Sequence, residues 1–155
     1  MSSIAMSTSV ATSLSVSGDS RARIRGRYAR LGLATVVAAV IANVLVYFAG
    51  DAVVGYDPEF VVLGNVVGIA IFTLIPAIVS VLLYAVLLRR TANPARVFTI
   101  VAAVVFVVTT IPDFTYIPSQ PGATNGQTAI LVLMHIVAAG VIVRMLTSYT
   151  RPRAR

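Results

Sequence analysis

The chain contains no cysteine and no tryptophan, all twelve of its basic residues are arginine, and it has a single histidine and only five acidic residues. Each shortage removes a class of chemistry. Without cysteine there is no disulfide, thiol redox couple, Cys-ligated zinc or iron–sulfur cluster, and one histidine per chain cannot build an all-imidazole metal site or a bis-His haem. No Asp or Glu falls within a long apolar run, so a span offers no paired carboxylates for acid–base catalysis. No catalytic residue, metal ligand, cofactor or cofactor-binding residue is assigned, and the sequence reads as a non-enzyme.

What the chain does have is apolar surface. Of its 155 residues 58% are apolar and 11% charged, and the mean hydropathy is +0.93, whereas ordinary globular domains run near ~45–50% and ~25%. A core of this length cannot bury the excess, so lipid must. Four runs are long enough to cross a bilayer of about 30 Å. Leu31 to Gly50 carries no charge. A second run over 58–88 opens with Asp57 as a cap, Pro58 in the first turn and Glu59 at the positive dipole end. It is longer than a bilayer needs, and Pro76 within it predicts a kink, because its ring removes one backbone hydrogen bond and frees the Phe72 carbonyl. Asn93 and Pro94 start a third span over 94–111, which Pro112 is expected to end. The fourth, 127–147, follows the turn-rich stretch from Gln120 to Gly126.

The fold expected is therefore all-α, a four-helix transmembrane bundle. Its charges set an orientation. The arginines lie at 21–30, at 89–96, and at Arg144 and 151–155, whereas Asp51, Asp57, Glu59 and Asp113 fall in the two loops between. By the positive-inside rule both termini are cytoplasmic in the cell membrane. The basic excess is then topology and not nucleic-acid binding, and the Arg clusters are expected to meet anionic lipid headgroups. Residues 1–20 differ in kind, since ten of them are Ser or Thr and one is charged. They read as a disordered tail ahead of a membrane domain over 21–155. The tail lacks the basic-then-apolar order of a signal peptide, so it is expected to be retained.

Small and polar residues inside the spans predict how the helices meet. Gly64 and Gly68 on helix 2, and Ala34, Ala38 and Ala42 on helix 1, have the spacing that permits close backbone approach. Counted from the ends carrying the acidic loops, Asn43 lies about 10 Å down helix 1, Asn65 about 8 Å down helix 2 and His135 about 12 Å down helix 4. Asn43 shares a stripe with Gly32, Thr35, Ala39 and Tyr47, and His135 one with Gln127, Thr128, Leu131, Ala138, Ala139 and Ile142. Both stripes are expected to face inward, making Asn43, Asn65 and His135 one buried polar layer, either interhelical hydrogen-bonding glue or a site.

The Arg-rich entry to helix 1, the acidic loop with Tyr56-Asp57-Pro58-Glu59-Phe60, and a last helix reading Leu133-Met134-His135-Ile136-Val137-Ala138-Ala139 give the chain a recognisable plan. Over about residues 25 to 148 it resembles an uncharacterised bacterial family of small four-helix membrane proteins, a domain-of-unknown-function family. That resemblance implies a fold and a membrane location but no activity. The function read from the sequence is a structural or interaction subunit, with a homo-oligomer or a membrane protein as partner. The alternative is a channel or transporter component that uses the Asn43, Asn65 and His135 layer.

Overall fold

A computed structural model describes the backbone of residues 3–150 and the side chains of Arg23 and of residues 25–150. The segment 1–20, read as a disordered tail, lies outside the described side chains. Four helices follow one another: α1 (Ser3–Val54), α2 (Val66–Arg90), α3 (Pro94–Thr115) and α4 (Asn125–Ser148), with a short 3₁₀ turn at Ile117–Ser119. No strand occurs among the described residues. The stretches Arg25–Val54, Val66–Arg90, Pro94–Ser119 and Asn125–Ser148 are each long and apolar enough to cross a membrane. The bundle packs α1 on α4 and α2, and α3 on α4 and to a lesser extent on α2, so α1 and α3 do not touch.

Helical periodicity decides which face of α1 is buried. Gly32, Thr35, Ala39 and Asn43 recur every three or four residues and are buried, while Leu33, Val37, Ile41 and Leu45 form the exposed opposite stripe. Small residues on the inner stripe let the helices approach. A Cβ on Gly32 would lie 2.7 Å from Val81 Cγ1 on α2, and one on Gly50 would lie 2.9 Å from Ile130 Cγ2 on α4. Close approach therefore uses Gly32 and Gly50, and not Ala34, Gly64 or Gly68 among the expected positions. Ala34 is exposed, Gly64 precedes α2, and Gly68 faces open space.

α2 begins eight residues later than its sequence signal suggested, at Val66 and not at Pro58. The Asp57 cap exists, since its Oδ1 accepts from the Glu59 N–H at 2.8 Å, but it closes a turn instead of a helix. The turn lets Phe60 and Leu63, both fully buried, tuck under the end of the bundle with Ile69, Ile117, Leu131 and Met134. Removing two such side chains from water contributes roughly 2 to 3 kcal/mol each, more than another helical turn would. Tyr47 and Tyr56 brace this end. The Tyr47 hydroxyl donates to the Leu63 carbonyl at 3.0 Å and the Tyr56 hydroxyl to the Tyr47 carbonyl at 2.7 Å. Burial, with Asp51 and Tyr47 nearby, pushes the Tyr56 phenol up to about 12, which keeps it a donor. The late start shortens α2 to 25 residues, about 37 Å, and the helix passes through Pro76 without interruption.

At the opposite end, where the arginines of α1, α2 and α3 gather, the core is aromatic. Tyr84 packs edge-on against Phe98 with ring centroids 5.1 Å apart, and Tyr28 meets the edge of Tyr149 at 5.4 Å. Arg27 lies 5.6 Å over the Tyr149 ring, a stabilising cation–π position. The Tyr28 hydroxyl donates to the Val81 carbonyl at 2.6 Å, tying α1 to α2.

α3 overruns its predicted end. Pro112 was expected to stop it, yet the helix continues to Thr115. A proline in the last turns of a helix forfeits only its own bond, here to the Val108 carbonyl, and the chain stays helical where packing holds it. Packing does so through Thr110, Asp113 and Ile117, all buried and at helical spacing. α4 starts at a capping box in which Thr124 Oγ1 accepts from the Gln127 N–H and Gln127 Oε1 accepts from the Thr124 N–H.

Candidate functional site: an Asp–His contact between α3 and α4

Two apolar clusters fill the bundle, one around Ala39, Ala77, Phe98 and Ile142 and the other around Ile69, Ile117, Leu131 and Met134. Between them on every helix sits a polar residue. α1 supplies Asn43, α2 Thr73, α3 Thr110 and Asp113, and α4 His135. Asn43 Nδ2 donates to Thr73 Oγ1 at 2.9 Å, and the Thr73 hydroxyl donates onward to the Ile69 carbonyl at 2.8 Å. Thr110 satisfies its hydroxyl within α3, on the Phe106 carbonyl at 2.7 Å.

The remaining pair is ionisable. His135 Nδ1 lies 3.0 Å from the Leu131 carbonyl one turn earlier and 3.2 Å from Asp113 Oδ2 on the neighbouring helix. A carbonyl oxygen only accepts, so Nδ1 carries the hydrogen and Nε2 is the free nitrogen of the ring. Because that hydrogen is aimed at Leu131, the carboxylate oxygen lies within ion-pair distance without a well-aligned hydrogen bond. Asp113 is 5% exposed, whereas the His135 side chain is 35% exposed at the bundle surface. Two further buried polar atoms have no partner, Asn43 Oδ1 and Gln127 Nε2, and each such atom costs about 1 to 3 kcal/mol if it stays dry.

Sequence reasoning anticipated part of this. Asn43 is buried, bonded to another helix and on the stripe assigned to it. Asn65 does not join it. It caps α2 through its Oδ1, which accepts from the Val67 N–H at 2.8 Å, and it is exposed. His135 contacts neither amide. Its polar neighbour is Asp113, which the sequence reading had placed in a loop, and no hydrogen bond among the described residues joins Asn43, Asn65 and His135 to one another. The signal that would have found Asp113 is the spacing of Phe106, Thr110, Asp113 and Ile117, a helical stripe that runs straight across Pro112. Among the described residues, no three His, Asp or Glu side chains come together as a metal site would require.

A family model described as a family of unknown function, DUF6069, matches residues 23–152. The chain belongs to that family. No curated protein and no solved structure matches it. The region matched to DUF6069 takes in all four stretches of transmembrane length and every residue of the polar band, and leaves out residues 1–22 and 153–155.

Proposed function

We propose that this DUF6069 protein is a non-enzymatic multi-pass protein of the cell membrane, with both termini cytoplasmic, that works as an interaction subunit assembling side by side in the bilayer through α3. The observation that carries the reading is how little of α3 its own bundle covers. From Ile100 to Phe114 only Val101, Ala102, Phe106, Thr110 and Asp113 escape full exposure, so apolar side chains such as Val104, Val107 and Ile111 project around most of the helix. α1 exposes a single stripe, whereas α2 is as uncovered as α3 between Ile71 and Val79. A cysteine in place of Val107 is expected to cross-link two copies of the otherwise cysteine-free chain in membranes, and one in place of Ile41 on α1 is not. A monodisperse particle near the 16.3 kDa of one chain, with neither position cross-linking, removes this reading.

The orientation has its own test, motivated by the twelve arginines and their absence from the 51–59 and 113–126 segments. Single cysteines replacing Gly55 or Pro118 are expected to react with an impermeant thiol reagent on intact cells, and one replacing Ala92 to stay protected. The reverse pattern inverts the topology.

The contact between Asp113 and His135 favours a second reading, a channel or transporter component. A carboxyl group and an imidazole within spans are the groups that membrane proton pathways employ. Proton flux into liposomes carrying the purified protein, lost in Asp113→Asn, supports that reading. Silent liposomes weigh against it.

A further inference from the structure

We propose that Asp113 and His135 together form a proton-binding site inside the membrane-spanning part of the bundle, with His135 Nε2 as the atom that takes up the proton. The tautomer follows from geometry, because Nδ1 must donate to the Leu131 carbonyl and only the Nε2 lone pair is left. Uptake is balanced simply: a proton from water forms an N–H bond at Nε2, the ring becomes an imidazolium, and nothing leaves. Of the two side chains His135 is the more exposed, at 35% against 7% for Asp113.

Charge supplies the driving force. With the ring neutral, the ionised Asp113 carboxyl is a lone negative charge, buried and with no aligned hydrogen-bond donor on Oδ2. Isolated charge in an apolar interior is costly. One proton on Nε2 brings the pair to zero net charge with the ring 3.2 Å from the carboxylate, and a second, on the carboxyl, leaves an uncompensated positive charge. The pair thus favours holding one proton.

Nothing else packed nearby competes for that proton. On α4 the remaining ionisable side chain is Arg144, more than two turns away from His135. α3 adds only Arg96, near its start, and α2 only Tyr84, Arg89 and Arg90, all toward the arginine end. The 3₁₀ turn Ile117–Ser119 contributes no ionisable group. α1, which packs on α4, carries Arg25, Arg27, Tyr28 and Arg30 toward the arginine end and, toward the other, Tyr47, whose hydroxyl donates to the Leu63 carbonyl, and Asp51, whose Oδ1 accepts from the Tyr56 N–H. Tyr116 beside the 3₁₀ turn is exposed. Where the site is occupied, α3 is held to α4 by opposite charges. Where it is empty, a bare carboxylate pulls water toward the seam between them.

The single histidine makes the test direct. The full chain with ring-¹⁵N histidine, in phospholipid nanodiscs, gives one histidine spin system whose Nε2 signal reports protonation across roughly pH 5 to 9. Asp113→Asn is expected to lower the proton affinity of the ring at least tenfold, moving the midpoint by more than about one pH unit. Should that variant fail to fold, two measurements remain. Asp113→Glu keeps the carboxylate and is expected to titrate within threefold of the natural chain, and in the natural chain itself the ¹³C carboxyl signal of Asp113 is expected to shift in step with the ring. Coincident curves for the natural chain and Asp113→Asn, or a carboxyl signal that ignores the ring, overturn the proposal. The inference deepens the transport reading without standing or falling with it: coupled titration in liposomes that show no proton flux removes transport and leaves the site.

Discussion

Replacing Gly122 by alanine is expected to cost the protein about 3 kcal/mol of stability, while the same change at Gly55 costs about 1 kcal/mol. Both glycines have φ of +69°, a left-handed backbone in which a side chain is penalised wherever it occurs. Their surroundings differ. A Cβ on Gly55 meets nothing within 4 Å, whereas one on Gly122 would lie 2.9 Å from the backbone nitrogen of Phe60 and 2.9 Å from Asp57 Oδ1. The Phe60 nitrogen cannot give way easily. It donates to the Asp57 carbonyl at 3.0 Å, and its own ring is fully buried beneath the bundle end. An alanine at 122 must therefore separate the two loops at this end and loosen Phe60 and Leu63 with them. Unfolding of purified variants in detergent gives the comparison, and equal losses for Gly122→Ala and Gly55→Ala would show that the loop contact contributes nothing. Gly68→Ala is the control, since that position is helical and open and alanine there is at worst neutral.

Much of this architecture was legible because hydrophobic length and helical spacing need no tertiary knowledge. Four apolar runs predict four spans, and the stripe Gly32, Thr35, Ala39 and Asn43 predicts the inner face of α1, where each residue is buried. The α4 stripe was legible for Gln127, Leu131 and Ile142, although Ala138 and Ala139 are only half-buried and Met134 belongs to the core. What the sequence concealed were competitions. Asp57-Pro58-Glu59 is a genuine local cap, but whether it opens a helix or a turn depends on where Phe60 and Leu63 can be buried, and distant residues on α3 and α4 decide that. Asn65 read as an interior amide because its depth was counted from a helix start eight residues too early; with α2 starting at Val66 it is the cap. Pro112 masked Asp113 in the same manner. A proline this close to a helix end forfeits a single backbone bond, and the buried stripe through Thr110, Asp113 and Ile117 outweighs it.

The buried carboxylate also makes the consequences of cutting the Asp113–His135 contact unequal. His135→Leu is expected to destabilise the protein by about 3 kcal/mol, because it strands Asp113, 5% exposed, with no cation in reach. Asp113→Leu is expected to cost only about 1 kcal/mol. The ring it leaves behind can stay neutral and keeps its bond to the Leu131 carbonyl. In the double variant both polar groups are gone and two leucines pack at the seam between α3 and α4, so its stability is expected to lie within about 1 kcal/mol of the natural chain. The second substitution then rescues the first, and the coupling between the two positions comes to about 3 kcal/mol or more. Reversible unfolding of the four chains in one detergent measures it. Additive losses, with the double variant the least stable of the four, would mean that the imidazole and the carboxyl group are neighbours without being partners. Rescue would place the cost of His135→Leu in the abandoned charge and not in the lost ring, since the double variant lacks the ring as well.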